Sequence, residues 1–262
     1  MTPNLVTVWT VRTDQPARVT ARLSRLLDAA EARRAASMPD PVRRRQFVVA
    51  HGALREIVGT QLGVPPEAVS WRHGPNGKPH PEFVEGFAEQ AEHDVARLCV
   101  NLSTCGATAL VALSDGREVG VDVERLPADR IALGLSARYF PKAEAQYVAN
   151  GRTSGDAADR FAMLWSRKEA CVKARGDRLS QGMPVRVDVA TPFTVAYPAE
   201  GAESTETVDA FVRVHDLPAS AGHRAAVALA GSAPFDFRVR EWPETALAAP
   251  AKPMIKEVKS YV

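Results

Sequence analysis

Residues 97–124 carry the sequence RLCVNLSTCGATALVALSDGREVGVDVE, which decides the fold class. Runs rich in valine, leucine and alanine are separated by glycine-containing turns. This pattern predicts two strands around a turn at 104–106 and a third strand after a turn at 114–118. Segments on both sides of the stretch instead space their apolar residues as amphipathic helices do. Clusters of strands between groups of helices are typical of an α+β fold.

The same order of elements occurs twice along the chain. A predicted strand at 5–12 precedes helices and then strands, and the strand that begins at 119 also precedes helices, at 141–149 and 157–175. Three further strand-like segments follow Gly182, with the sequences PVRVDVA, TVDAFVRVH and HRAAVALAG.

This duplicated order predicts two similar α+β halves in one chain. We place the N-terminal half at 1–116 and the C-terminal half at 117–232. Residues 233–262 are rich in alanine, proline and lysine, which predicts a C-terminal extension or a loose tail. A chain of 262 residues is long enough for two domains of about 100–200 residues each.

The composition is that of a soluble globular protein, with 45% hydrophobic residues, 24% charged residues and a net charge of +2. No apolar run reaches the roughly 20 residues of a membrane helix, and the N-terminus lacks the pattern of a secretory signal. Three cysteines without a CxxC pair predict neither a disulfide framework nor a zinc site. We therefore expect a cytoplasmic monomer with reduced thiols that binds neither membranes nor nucleic acid.

Two carboxylates lie on one face of the strand in the GVDVE motif. Because side chains alternate along a strand, Asp122 and Glu124 point to one side while Val121 and Val123 point to the other. Carboxylates this close repel each other unless a cation lies between them, and hard oxygen ligands suit magnesium. The alternative is a solvated strand face with Arg125 as its neighbour.

The helix at 157–175 carries a second candidate group. Phe161, Trp165, Glu169 and Lys173 are four residues apart and form one stripe. Glu169 and Lys173 form either a salt bridge between successive turns or a third metal carboxylate and a phosphate-binding lysine. We expect the Trp165 ring to serve packing rather than chemistry.

The remaining candidates are polar side chains in predicted turns and at a helix start. Lys78, in GPNGKP, is one of four lysines before the tail in a chain with 26 arginines, and it is either solvated or an anion contact. Ser103 and Thr104 lie in an ordinary hairpin turn or an anion site. Arg45 ends a run of three arginines. This run either forms a solvated basic face or contacts phosphate or nucleic acid.

Four motifs occur together in a characteristic order: GKP at 77–79, NLSTCG at 101–106, GVDVE at 120–124 and WSRKEACVKARG at 165–176. In this order and spacing they resemble the Sfp-type 4'-phosphopantetheinyl transferases. The resemblance implies a pseudo-dimeric α+β fold, with coenzyme A and magnesium in the cleft between the two halves.

The resemblance also implies a reaction. These enzymes transfer the phosphopantetheine arm of coenzyme A to a serine of an apo acyl or peptidyl carrier protein, and 3',5'-ADP leaves. Glu169, or a water on the metal, is the implied base, and Lys173 is the implied second catalytic residue. By the same resemblance, Mg²⁺ is held by Asp122, Glu124 and Glu169, and coenzyme A is met by Lys78, Lys173, Ser103, Thr104 and Arg45.

One position departs from the family pattern, and two other functions stay open. Thr104 stands where the family commonly has a histidine that helps hold a coenzyme A phosphate. A non-catalytic relative would bind coenzyme A only, and a basic-helix protein would use the arginines at 43–45 on nucleic acid. The sequence does not specify whether the carrier belongs to fatty-acid, polyketide or nonribosomal-peptide synthesis.

Overall fold

The computed structural model of the chain describes residues 4–83, 95–198 and 208–243. The strands are β1 (Leu5–Arg12), β2 (Val69–His73), β3 (Pro79–Phe83), β4 (Leu98–Cys105), β5 (Thr108–Asp115), β6 (Val119–Arg125), β7 (Phe193–Pro198), β8 (Val208–Leu217), β9 (His223–Ala230) and β10 (Asp236–Trp242). The helices are α1 (Ala17–Ser24), α2 (Ala29–Ala36), α3 (Pro41–Leu62), α4 (Asp129–Tyr139), α5 (Lys142–Ala149), α6 (Asp156–Arg175) and the short α7 (Leu179–Gly182). Within these ranges, no helix has both the length and the apolarity to span a membrane.

Two four-stranded sheets form the centre of the protein, with strand orders β10-β1-β5-β4 and β6-β9-β8-β7. A separate hairpin pairs β2 with β3. In each large sheet, the strand that precedes the helices pairs antiparallel with a strand that follows them: β1 with β5, and β6 with β9. The mixed α+β class predicted from the sequence is confirmed. The division of the chain between residues 116 and 117 stays a prediction.

The two sheets meet across a buried apolar layer to which β6 contributes alternate side chains. Val119, Val121 and Val123 are buried in this layer together with residues of β1, β5 and β9. The same alternation directs Gly120 and Asp122 to the opposite face of β6, where α6 lies. The sidedness predicted from the sequence therefore places the carboxylates of β6 against a helix.

Gly120 lets helix α6 lie directly on β6. A Cβ atom at Gly120 would lie 2.0 Å from the carbonyl oxygen of Ala170 and 2.4 Å from the amide nitrogen of Ala174, closer than atoms can approach. Glycine at this strand position therefore sets the distance between strand and helix. Because Ala170 and Ala174 each follow a predicted site residue on α6, the contact brings those side chains beside Asp122.

Part of the segment 233–262, predicted as a C-terminal extension or a loose tail, forms a strand. Asp236–Trp242 form β10, which pairs in parallel with β1, and Trp242 is buried in the core of the first sheet. Charged residues alternate with apolar ones along β10, as expected for a strand at the edge of a sheet. Residues 244–262 lie outside the described residues.

The segment PVRVDVA, at 184–190, is not a strand, although its alternation predicts one. Side chains bind its backbone in place of a neighbouring strand. Lys168 donates a hydrogen bond to the carbonyl oxygen of Val185, and Arg167 donates one to that of Val187 at 2.7 Å. The first strand after Gly182 is instead β7.

Candidate functional site

The predicted carboxylates lie at the junction of β4, β6 and α6. Asp122 is in the middle of β6 and only 2% exposed, while Glu124 on β6 and Glu169 on α6 are half-buried. The charges of Asp122 and Glu169 both act on Glu124. The structure thus brings the three side chains into one electrostatically coupled set, called here the carboxylate group.

Lys173 supplies positive charge to the carboxylate group. Its Nζ lies 2.5 Å from Oδ1 of Asp122 and donates a hydrogen bond to Oγ of Ser103 at 3.1 Å. The Ser103 hydroxyl donates to the same oxygen of Asp122 at 2.8 Å. The ion pair of Lys173 therefore joins α6 to β6, rather than two successive turns of the helix.

The carboxylate group carries more negative charge than Lys173 balances. Burial, together with the charges of Asp122 and Glu169, raises the pKa of Glu124 to about 7, although Lys173 acts in the opposite direction. Burial also raises the pKa of Glu169. The second carboxylate oxygen of Asp122, Oδ2, is buried and has no hydrogen-bond partner. Such an oxygen is costly to bury unless a donor or a cation meets it.

A divalent cation of the magnesium type fits this set of donors. It would meet Oδ2 of Asp122 and relieve the repulsion that raises the pKa of Glu124. In the arrangement seen here, no three His, Cys, Asp or Glu side chains of the described residues are placed to hold a metal ion. The residues fit by their chemistry, and the assignment of Asp122, Glu124 and Glu169 as ligands stays a prediction.

Ser103 and Thr104 point to opposite sides of β4. Ser103 is buried within the carboxylate group, whereas Thr104 is exposed and lines a surface groove of about 840 Å³. Strand β4 continues to Cys105, so the turn predicted at 104–106 starts later, at Gly106 with a φ of 56°. The structure therefore brings Ser103, and not Thr104, to the carboxylates.

Cationic and aromatic side chains line the groove beside Thr104. Arg34 and Arg43 lie along it together with Phe47, His51 and Asp40, whose carboxylate lies 3.9 Å from Nε of Arg43. Arg45, the predicted coenzyme A contact, is exposed on α3, and its charge acts on Asp14. The residue of the arginine run that lines the groove is thus Arg43.

A smaller cavity of about 270 Å³ adjoins the groove and shares Phe47 and His51 with it. Trp71, Gly77 and Pro79 form other parts of its wall. The indole nitrogen of Trp71 is buried without a hydrogen-bond partner. An aromatic wall with a few polar atoms is typical of a site for a flat ligand with polar edges.

Lys78 lies away from the carboxylates, against the end of α6. Its side chain is 8% exposed, and its Nζ lies 2.5 Å from a carboxylate oxygen of Glu118. The ammonium also donates to the carbonyl oxygens of Val119 at 3.0 Å, Lys173 at 2.7 Å and Ala174 at 3.2 Å. A phosphate contact by Lys78 stays a prediction, and it would require the ammonium to leave these partners.

Two supports of the carboxylate group were not predicted. The side-chain oxygen of Asn101 accepts a hydrogen bond from the backbone nitrogen of Val121 at 2.9 Å and so joins β4 to β6. Lys168 and Glu144 form a fully buried ion pair of 2.7 Å that ties α6 to α5. The NLS motif contains Asn101 and could have indicated it, whereas no local pattern relates Lys168 to a residue on another helix.

Comparison with known proteins identifies the family of this chain. A family model described as the 4'-phosphopantetheinyl transferase superfamily matches residues 118–228. The 4'-phosphopantetheinyl transferase HetI of Nostoc sp. is 32% identical over 178 residues, which cover 67% of this chain and 70% of HetI. The chain belongs to the 4'-phosphopantetheinyl transferase superfamily. The 4'-phosphopantetheinyl transferase AcpT of Salmonella typhimurium is 34% identical over 162 residues, which cover 62% of this chain and 73% of AcpT.

The region matched by the family model spans β6 to β9. It contains the three carboxylates and Lys173, while the other predicted contacts with coenzyme A precede it. The resemblance inferred from the motifs is thus confirmed for the family, and the role of each site residue stays a prediction.

Proposed function

We propose that this protein transfers the 4'-phosphopantetheine arm of coenzyme A to a serine of an apo carrier protein, as a holo-carrier-protein synthase of the Sfp type. The serine oxygen bonds to the pantetheine-side phosphorus, the phosphoanhydride bond breaks, and 3',5'-ADP leaves. The proton of the serine hydroxyl passes to a carboxylate of the enzyme. The names of HetI and AcpT support this class of reaction.

The carboxylate group with Lys173 is the observation that carries the proposal. The Lys173 side chain is 26% exposed, so the ammonium can meet a phosphate oxygen while it holds Asp122. Ser103 orients both groups, because its hydroxyl donates to Asp122 and accepts from Lys173. Glu169, half-buried beside Lys173, is the proposed acceptor of the serine proton.

The same group would hold the metal ion of the reaction. Mg²⁺ on Asp122, Glu124 and Glu169 would supply the positive charge that neutralises the pyrophosphate oxygens. The enzyme's own contribution is fixed charge and position. Strand β6 and helix α6 present the carboxylates from two directions, and the close contact at Gly120 sets their separation.

We place coenzyme A in the groove and the adjoining cavity. Thr104 lines the groove and directly follows Ser103, so the groove and the carboxylate group lie at the same end of β4, on opposite sides of the strand. Arg34 and Arg43 line it as cations suited to phosphate. Three strands of each sheet have corresponding orders, β1-β5-β4 and β6-β9-β8, which supports a pseudo-dimeric fold in which the site lies between similar halves.

Mass spectrometry of a carrier protein tests the proposal directly. The protein is mixed with coenzyme A, Mg²⁺ and an apo acyl, peptidyl or polyketide carrier. The carrier mass should rise by about 340 Da, one phosphopantetheine arm, and a carrier with alanine in place of the serine should not change. Binding of coenzyme A without a mass increase on any of the three carriers would instead indicate a non-catalytic relative.

A further inference from the structure

Lys78 and the last turn of α6 are distant in sequence and bonded in space. The final carbonyl groups of a helix have no partner within the helix. Lys78 donates to two of them, those of Lys173 and Ala174. A positive charge at this end of a helix is favoured, because the carbonyl dipoles point toward it.

Asn76 makes a second connection from the same turn. Its side-chain nitrogen donates a hydrogen bond to the carbonyl oxygen of Gly176 at 2.8 Å. Gly176 ends α6 with a left-handed φ of 71°, and the Cδ atom of Lys78 lies 3.7 Å from the position that a Cβ would occupy there. The turn at 74–79 therefore caps α6 with two side chains, those of Asn76 and Lys78.

The surroundings of Lys78 use all of its hydrogen-bonding capacity. An ammonium has three donor hydrogens, and three carbonyl oxygens accept hydrogen bonds from this one. Glu118 also balances its charge at 2.5 Å. These contacts are those of a structural cation, rather than of one that faces a ligand.

We propose that Lys78 is a positioning residue that clamps the turn at 74–79 to the end of α6. The clamp acts through the main chain of Lys173, whose side chain holds Asp122 in the carboxylate group. Without it, the last turn of α6 would lose a fixed position, and so would the Lys173 ammonium.

The clamp also links the small cavity to the site of reaction. Gly77 and Pro79, the neighbours of Lys78, line that cavity. A ligand held there is thereby placed at a fixed distance from Lys173. This kinetic consequence rests on the proposed function, whereas the clamp itself does not.

Lys78→Met tests the clamp, because it keeps the apolar stem and removes the charge and the donors. We expect kcat to fall about tenfold or more, while the KM for coenzyme A stays within about threefold. Amide hydrogen exchange at 74–79 and 172–178 should accelerate in the free protein. Lys142→Met, at an exposed lysine at the start of α5, should leave kcat, the KM for coenzyme A and the exchange rates unchanged.

Glu118→Gln separates the clamp from a phosphate contact. If Lys78 clamps, the loss of its counter-charge should accelerate exchange at 74–79 and leave the KM for coenzyme A no lower than in the wild type. If Lys78 binds phosphate, its release from Glu118 should lower that KM. A lower KM in Glu118→Gln, with a raised KM and unchanged kcat in Lys78→Met, would overturn the proposal.

The exchange measurement keeps the two proposals separate. If the wild-type chain modifies no carrier, the proposed function fails, and the exchange data still decide the clamp. Unchanged protection in Lys78→Met would overturn it. If that variant does not fold, Asn76→Leu removes the bond to Gly176 and the bond that Asn76 accepts from Arg178, and it should give a smaller acceleration in the same two segments. No acceleration in that variant would also count against the clamp.

Discussion

Asp122 has the most demanding position in the carboxylate group, since one of its oxygens binds Lys173 and Ser103 while the other is buried without a partner. Removing it leaves the Lys173 ammonium without its ion-pair partner. The two glutamates contribute negative charge from opposite sides, one on the strand and one on the helix. We therefore expect the three carboxylates to act as a unit.

Alanine at Asp122, Glu124 or Glu169 should lower the rate of phosphopantetheine transfer at least about a hundredfold, because each change removes a negative charge from the proposed Mg²⁺ site. The rate of holo-carrier formation measures this, with Glu241→Ala on the exposed edge strand β10 as the control. EDTA should abolish transfer by the wild-type enzyme. A normal rate in EDTA, or in Glu169→Ala, would refute the assignment.

Thr104 offers a change that should improve the enzyme. Its hydroxyl faces a groove lined by Arg34 and Arg43, and it carries no charge. Thr104→His adds a donor that becomes charged at low pH, so the KM for coenzyme A should fall about fivefold. The gain should be larger at pH 6 than at pH 8 and smaller with dephospho-coenzyme A. Equal KM values for both variants at both pH values would remove Thr104 from the site.

At the scale of elements, the contact between β6 and α6 is the one that tolerates least change. Gly120→Ala would place a methyl group against the helix backbone, so we expect a loss of about 3 kcal/mol or more in the free energy of unfolding. Gly134→Ala is the matched control, because no atom lies within 4 Å of its added Cβ. Denaturant unfolding compares them, and equal stability of the two variants would contradict the close packing.

We expect helix α4 to contribute to docking of an acidic, amphipathic partner such as a carrier protein. Ile131 and Tyr139 on this helix are exposed, Arg138 lies two turns after Ile131 on the same side, and its guanidinium lies 5.1 Å from the centre of the Tyr139 ring. Ile131→Asp and Arg138→Glu should each raise the KM for the carrier about tenfold and leave the KM for coenzyme A unchanged.

Salt and a second apolar residue provide the controls for this surface. High ionic strength should raise the carrier KM of the wild type and of Ile131→Asp, but have less effect on Arg138→Glu. Phe211→Asp, at an exposed apolar residue of β8, should behave as the wild type. An unchanged carrier KM in both α4 variants would place docking elsewhere.

The sequence predicts well those structural features that depend only on residues nearby in the chain. The alternation at 119–125 predicts which side chains leave β6 toward α6, because strand periodicity is a local property. The surroundings of Lys78 could not be predicted from its turn, since its acceptors belong to β6 and to the end of α6. PVRVDVA was predicted as a strand because local alternation does not reveal that Arg167 and Lys168 bind its backbone.

At the scale of the whole molecule, the burial of His215 predicts that the protein loses stability in mild acid. Its Nε2 is buried without a partner, and the ring lies 4.6 Å from that of Phe235. Burial, helped by Arg213 and opposed by two aspartates, lowers the pKa of His215 below its ordinary value of 6.5. Below pH 6.5 the unfolded chain binds a proton at His215 more readily than the folded chain does. The free energy of unfolding therefore decreases as the pH is lowered below 6.5, and His215 has little effect on it at higher pH.

His215→Phe removes the titrating group and keeps a ring in the same place. The free energy of unfolding, measured at pH 7.5, 6.5 and 5.5, should fall less steeply in this variant than in the wild type. The same slope in both proteins would show that His215 does not contribute.

The parallel pairing of β10 with β1 joins the last described strand to the first. A ribosome therefore has to synthesise the chain as far as residue 242 before the first sheet can close, so residues 1–116 cannot complete this sheet by themselves. Until then the free edge of β1 is open to other strands, including those of neighbouring nascent chains. If the protein is divided after residue 116, for a split-protein reporter or a chimera, the strand β10 is on the C-terminal fragment. The N-terminal fragment would then need β10 added to it to complete its sheet.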